Sequence, residues 1–175
     1  MYNVVAFTGH RKLPSGYYNH DNPSDDWLKV ERLIAKILTE FTLHYHINEF
    51  IVGGAIGFDT LVAKCVMEHR TKYEGIKLVL AVPFPSYASK MLHFNKKIFL
   101  KYEKEADKIV VVSEDPYTAR KLFVRNEWMV MNSDILCSFC FKKSKGGTYQ
   151  CMEFASKNRK PILNIDADTL SLAWC

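Results

Sequence analysis

No apolar run in this chain approaches the roughly 20 residues that a membrane-spanning helix needs. Low-complexity segments, internal repeats and Gly/Ser/Pro-rich linkers are also missing, so nothing divides the 175 residues into separate units. That length suffices to bury a core as one domain. Residues 2–5, Tyr-Asn-Val-Val, lead straight into a β-type stretch, without the basic region and cleavage site of a signal peptide. The expected location is therefore cytoplasmic. Cysteine points the same way. Five of them, at 65, 137, 140, 151 and 175, are odd in number and mostly apolar-flanked, which is no disulfide framework and suits a reducing compartment. Positive charge is present without being concentrated. The net charge is +5, but Lys96-Lys97, Lys142-Lys143-Ser144-Lys145 and Lys157-Asn158-Arg159-Lys160 are short and far apart. Such runs read as solvated faces, so nucleic acid is an admissible partner but not the favoured one.

Several chemical signatures are missing too. There is no G-x-S-x-G elbow and no Walker lysine behind a glycine loop. Gly53-Gly54-x-x-Gly57-x-Asp59 differs in order from G-x-G-x-x-G, and no acidic residue follows the first turn at dinucleotide spacing, which disfavours NAD-linked hydride transfer. His44, His46 and His69 lack a ligand-spaced carboxylate, so neither a metal nor a cofactor is expected. Cys137-x-x-Cys140 falls in a strand pattern, where residues three apart point to opposite faces, and it has no second pair. It reads as core.

What the chain does have is a regular alternation. Short β-branched runs at 3–8, 49–52, 77–82, 108–113, 134–139 and 161–165 alternate with helical patterns at 25–45, 58–73, 86–105, 119–133 and 148–158. The strands are nearly continuous apolar runs, as in Ile109-Val110-Val111-Val112, which fits a parallel sheet covered on both faces. The pattern predicts an α/β, Rossmann-like, doubly wound and mainly parallel sheet of about six strands with helices on both faces. One domain spans 1–175, with a core at about 4–165 and a tail or edge strand at 166–175. Residues 13–23 read as a long loop at the edge where ligand lids sit, and Ser24 as the cap of the first helix.

Ligands of such sheets bind at the carboxyl ends of the strands. That edge gathers Thr8-Gly9-His10-Arg11, residues 53–59, Pro83-Phe84-Pro85, Ser113-Glu114-Asp115 and residues 142–148. Gly53, Gly54 and Gly57 allow close backbone approach to a phosphate, with Ala55 keeping that surface small, and Lys145-Gly146-Gly147-Thr148 repeats the device before a helix. Arg11 suits bidentate phosphate binding, and His10 is the histidine placed for ligand contact. Asp59 either caps its helix or accepts from a ribose hydroxyl. Arg125 and Asn126 lie mid-helix. They are either a solvated pair or a buried pair in need of partners.

Taken in order, Phe7-Thr8-Gly9-His10-Arg11, Gly53-Gly54-Ala55-Ile56-Gly57-Phe58-Asp59, Pro83-Phe84, Arg125-Asn126-Glu127-Trp128-Met129-Val130 with Ser133-Asp134, and Lys145-Gly146-Gly147-Thr148 with Ala155 resemble the YpsA-like branch of the SLOG superfamily. That superfamily also holds the DNA-processing protein DprA and the LOG cytokinin-activating phosphoribohydrolases. The resemblance covers about 4–165, implies a nucleotide-type pocket at the sheet edge, and draws Arg125 and Asn126 into it. Two departures bear on function. Met131 stands where the family commonly has a carboxylate. Gln150 stands where the LOG enzymes carry a catalytic glutamate, and Glu153 lies five residues after Thr148 on another helix face. A glycosidic bond needs such a carboxylate. The catalytic residue is thus unassigned, with Asp59, Glu127 and Glu114 as candidates. The resemblance implies binding of a nucleotide or nucleotide-sugar, ADP-ribose-like, by a bacterial or phage-derived sensor or sequestering protein. The alternative is a nucleoside-monophosphate phosphoribohydrolase or deoxyribosyltransferase-like enzyme. Kinship with DprA adds single-stranded DNA binding, and superfamily precedent adds homo-oligomers.

Overall fold

The computed structural model describes residues 2–175. In chain order its elements are β1 (Val4–Gly9), β2 (Lys12–Leu13), β3 (Gly16–Tyr17), α1 (Asp25–His44), β4 (Glu49–Val52), α2 (Phe58–His69), β5 (Lys77–Val82), a 3-10 turn (Tyr87–Lys90), α3 (His93–Glu105), β6 (Lys108–Val111), α4 (Ala119–Met131), β7 (Ile135–Cys140), α5 (Gly147–Lys157), β8 (Ile162–Asp166) and β9 (Leu172–Trp174). Alternation along each strand decides which helices cover which face. In β1, Val5 and Phe7 join an apolar cluster with Trp27 and Phe41 of α1, Leu61 of α2 and Phe99 of α3. Ala6, between them, joins a second cluster with Met129 and Val130 of α4 and Cys151 and Ala155 of α5. The fold is α/β, doubly wound around a mainly parallel sheet.

The sheet order is β6-β5-β4-β1-β7-β8-β9. All pairings are parallel except β8 with β9. From β1 the strands step outward one way through β4 to β6 and the other way through β7 to β9, which places a topological switch point at the carboxyl end of β1. The sheet has seven strands where about six were expected. The addition is β9, so the end of the chain is an edge strand, not a loose tail.

Two segments depart from their patterns for identifiable reasons. Residues 13–23 are not one long loop: Lys12–Leu13 and Gly16–Tyr17 form a hairpin, fastened to α1 by the Trp27 indole, whose Nε1 donates to the Gly16 carbonyl at 3.0 Å. Ser24 accepts from the Trp27 amide at 3.5 Å and caps α1 as expected. The helix expected over 86–105 is broken. A 3-10 turn ends at Lys90, Met91 and Leu92 are extended, and α3 starts at His93. The rings of Tyr87 and Phe99 lie 5.6 Å apart. In an unbroken helix, residues that far apart in sequence would be separated by about 18 Å, so the aromatic contact requires the break. Cys137 and Cys140 are free thiols buried within β7.

Candidate functional site

The site starts where β1 ends. The His10 amide donates to the Phe139 carbonyl of β7 at 3.2 Å, and the His10 carbonyl accepts from the Phe58 amide, the first residue of α2, also at 3.2 Å. The β1 turn is thus stitched to elements on both sides of it. Gly57 makes this possible. Its φ of +89° lies in the left-handed region, and a Cβ there would meet the Arg11 carbonyl oxygen at 2.3 Å. The backbone of the Arg11 turn therefore rests on the backbone of the Gly53–Gly57 turn.

Arg125 ties the same turn to the opposite face of the sheet. It projects from α4, is 4% exposed, and donates through Nη1 to the Gly53 carbonyl and, at 3.3 Å, to the Ala81 carbonyl at the end of β5. Its Nε donates to Asn126 Oδ1 at 2.9 Å, which sets the orientation of that amide. A side chain at Gly53 would occupy the space of the guanidinium, so glycine is required there by close approach. Asp59, from the first turn of α2, sits against this arrangement and accepts from the Ala55 amide at 3.2 Å through Oδ2. Burial pushes its carboxyl above the ordinary value. The Arg125 charge, the Ala55 amide and Arg11 oppose that shift without cancelling it.

These groups enclose a cleft of about 390 Å³ at the switch point. Of the residues marked in the sequence, Thr8, Gly9, His10, Arg11, Ala55, Asp59, Arg125, Asn126, Gly147 and Thr148 line it. Gly53, Gly54 and Gly57 stand behind that surface and shape it. Lys145 and Gly146 are exposed and outside the lining. Pro83 and Phe84 are buried, with the Phe84 ring against Tyr87 and Tyr117 and away from the cleft. Glu114 and Glu127 are both exposed and outside the lining as well, which leaves Asp59 as the carboxylate of the three inside it. The cleft also draws in Phe7, Lys12 and Met129. Met129 was foreshadowed by its spacing, one turn beyond Arg125 on the same helix face.

His10 is distinctive. Its Nε2 has no hydrogen-bond partner although shielded from solvent, and its ring lies 4.8 Å from that of Phe141. Burial lowers its basicity, so near neutral pH it is an uncharged imidazole. The first turn of α5 adds Gly147 and Thr148, whose helix N-terminus carries unpaired amides and partial positive charge. With Arg11 and Lys12 at the mouth, the cleft is cationic and rich in donors, with one buried carboxyl. No group of three or more His, Cys, Asp or Glu among the described residues is arranged to hold a metal ion.

The family model YpsA, described as the YspA SLOG family, matches residues 5–170. The chain belongs to that family. Among the relatives of this SLOG chain is the SPbeta prophage-derived protein YoqJ of Bacillus subtilis, 28% identical over 141 residues that cover 74% of this chain and 82% of YoqJ. Several solved structures share its fold. DNA processing protein A of Helicobacter pylori, described for its single-stranded DNA binding mode, has a TM-score of 0.59 at 16% identity, covering 93% of this SLOG chain and 64% of that protein. The molybdenum cofactor carrier protein of Chlamydomonas reinhardtii has a TM-score of 0.52 at 14% identity, covering 94% and 76%. Among the described residues, no helix is long and apolar enough to cross a membrane.

Proposed function

We propose that the cleft binds a nucleotide or nucleotide-sugar of the ADP-ribose type, and that the protein acts as a sensor of that ligand or sequesters it. The carrying observation is the meeting of Arg11, the Ala55 turn and the N-terminus of α5 around one cavity at the switch point of the sheet. In this reading Arg11 and the amides of Gly147 and Thr148 hold phosphate, Asn126 and His10 read polar edges, and Asp59 accepts from a ribose hydroxyl. Incubation of the protein with AMP, NAD, ADP-ribose and cyclic ADP-ribose, followed by mass spectrometry of retained and released species, tests it. Intact retention of one compound is the expected result. No retained nucleotide and no product would refute it.

The position of Asp59 favours one alternative, cleavage of an N-glycosidic bond. A buried carboxyl with a raised proton affinity is the kind of group that protonates a departing base. Asp59→Asn separates the two readings: it would abolish any release of free base, while retention of an intact ligand would survive in weakened form. The same variant carries a pH signature. Because the folded carboxyl titrates above its unfolded value, its contribution to stability is full below about pH 4 and is lost as pH rises through the folded value. The melting temperature of Asp59→Asn relative to wild type is therefore expected to improve as pH is raised from about 4 toward neutrality. A difference that stays flat across that range would mean that burial does not govern this group.

A further inference from the structure

We propose that the ligand is a pyrophosphate-bridged dinucleotide whose second ring lies in a neighbouring cleft walled by Tyr87 and Tyr117, with Arg11 gripping the bridge between the two halves. This rests on the nucleotide reading above and narrows its ligand class. The second cleft, of about 380 Å³, shares Arg11 with the first. Consecutive residues of one turn divide them: Ala55 faces the first cavity and Ile56 the second. Each volume alone lies near the lower end of the roughly 300–1,000 Å³ of small-molecule sites. A mononucleotide would need only the first, and nothing in that reading accounts for an aromatic cavity on the far side of the same guanidinium.

The walls of the second cleft are built to hold a flat ring. Tyr87 meets Phe84 edge-on at 5.6 Å, and the Tyr117 ring lies tilted 5.5 Å from that of Phe84. Phe84 lines neither cleft and instead supports both tyrosine rings of the second. The two walls are tied together, since the Ser86 amide and hydroxyl both donate to Asp115 Oδ1, the amide at 3.2 Å. Tyr117 remains 47% exposed despite that support, and Leu92, in the extended break before α3, is 78% exposed at the mouth. Lys90 adds positive charge on the same rim. An apolar, aromatic floor with cations at its edge suits a base attached to an anionic bridge.

Isothermal titration of wild type, Tyr117→Ala and Tyr117→Phe with AMP and with P1,P2-diadenosine diphosphate tests the assignment. In wild type the dinucleotide is expected to bind about tenfold or more tightly than AMP, the return for one additional stacked base. Tyr117→Ala should lose most of that gain, Tyr117→Phe should keep it, and AMP should bind all three proteins alike. Tyr117 is half-exposed, so the melting temperature should barely move. Equal affinities for both probes in wild type would overturn the second subsite and leave the nucleotide reading standing, as would equal weakening of AMP and dinucleotide in Tyr117→Ala. Failure of wild type to bind the dinucleotide would likewise overturn the second subsite, and the nucleotide reading would still be decided by ADP-ribose.

Discussion

Replacing Arg125 with methionine is expected to destabilise the folded protein by about 3–5 kcal/mol, because it breaks a buried charge arrangement and leaves the other members behind. Methionine matches the length of the aliphatic stem but donates nothing. The carbonyls of Gly53 and Ala81 lose their guanidinium donor, and Asp59 loses the strongest influence that lowers its proton affinity. For a chain of this size the melting temperature should fall by roughly 6–20 °C. The variant should also become more pH-sensitive. With Arg125 gone, the Asp59 carboxyl is pushed still higher, so further stability is lost as pH rises toward neutral. Adding Asp59→Asn to Arg125→Met should recover part of the loss, because the stranded carboxylate is removed. Thermal unfolding of the single and double variants across pH checks this. A loss below about 1 kcal/mol would place Arg125 among ordinary surface ion pairs.

The largest effect on binding is expected from Gly147→Asp, which should weaken a phosphate-bearing ligand by roughly a hundredfold or more through like-charge repulsion. The site is open to a side chain: a Cβ there meets only Asn126 Nδ2, at 4.0 Å. Aspartate in the first turn of α5 also suits the helix dipole by about 0.3–1 kcal/mol, so folding should be unharmed or slightly improved. Gly54→Asp is a poorer probe, although Gly54 lies in the more conspicuous turn. Its φ is +70°, and a Cβ would press on the Phe99 ring at 2.7 Å, so that variant reports core strain in place of phosphate repulsion. Titration of the ligand into Gly147→Asp, beside its melting curve, checks the expectation. Undiminished affinity would remove the N-terminus of α5 from the site.

The sequence was most legible where local pattern and tertiary demand coincide. The runs at 49–52 and 77–82 are strands with those bounds, because β-branched residues covered on both faces leave little alternative. The hairpin of β2 and β3 has only two residues in each strand, too few for an alternating pattern. In β9 every residue is exposed, so it carries no burial signal. The break at Met91 and Leu92 follows from the ring contact between Tyr87 and Phe99, which no periodicity within the segment encodes. The site divides in the same way. Thr8, Arg11, Ala55 and Thr148 stand on turns at predicted strand or helix ends, and those turns do converge. Arg125 was ambiguous because its partners, Gly53 and Ala81, are far away in sequence, and only the family motif pointed inward. Glu127 lies two residues, about 200°, around the helix from Arg125 and so faces away from the cleft.

In the proposed binding mode, phosphate of a nucleotide sits between the Ala55 turn and the N-terminus of α5. Backbone amide nitrogen–proton NMR spectra recorded while ADP-ribose is added test it most directly. Saturable shifts are expected at Ala55, Gly147 and Thr148 and at the turn of His10 and Arg11, with Leu172 and Trp174 on the far edge strand unmoved. Shifts confined to any other surface, or none up to millimolar ligand, would contradict it.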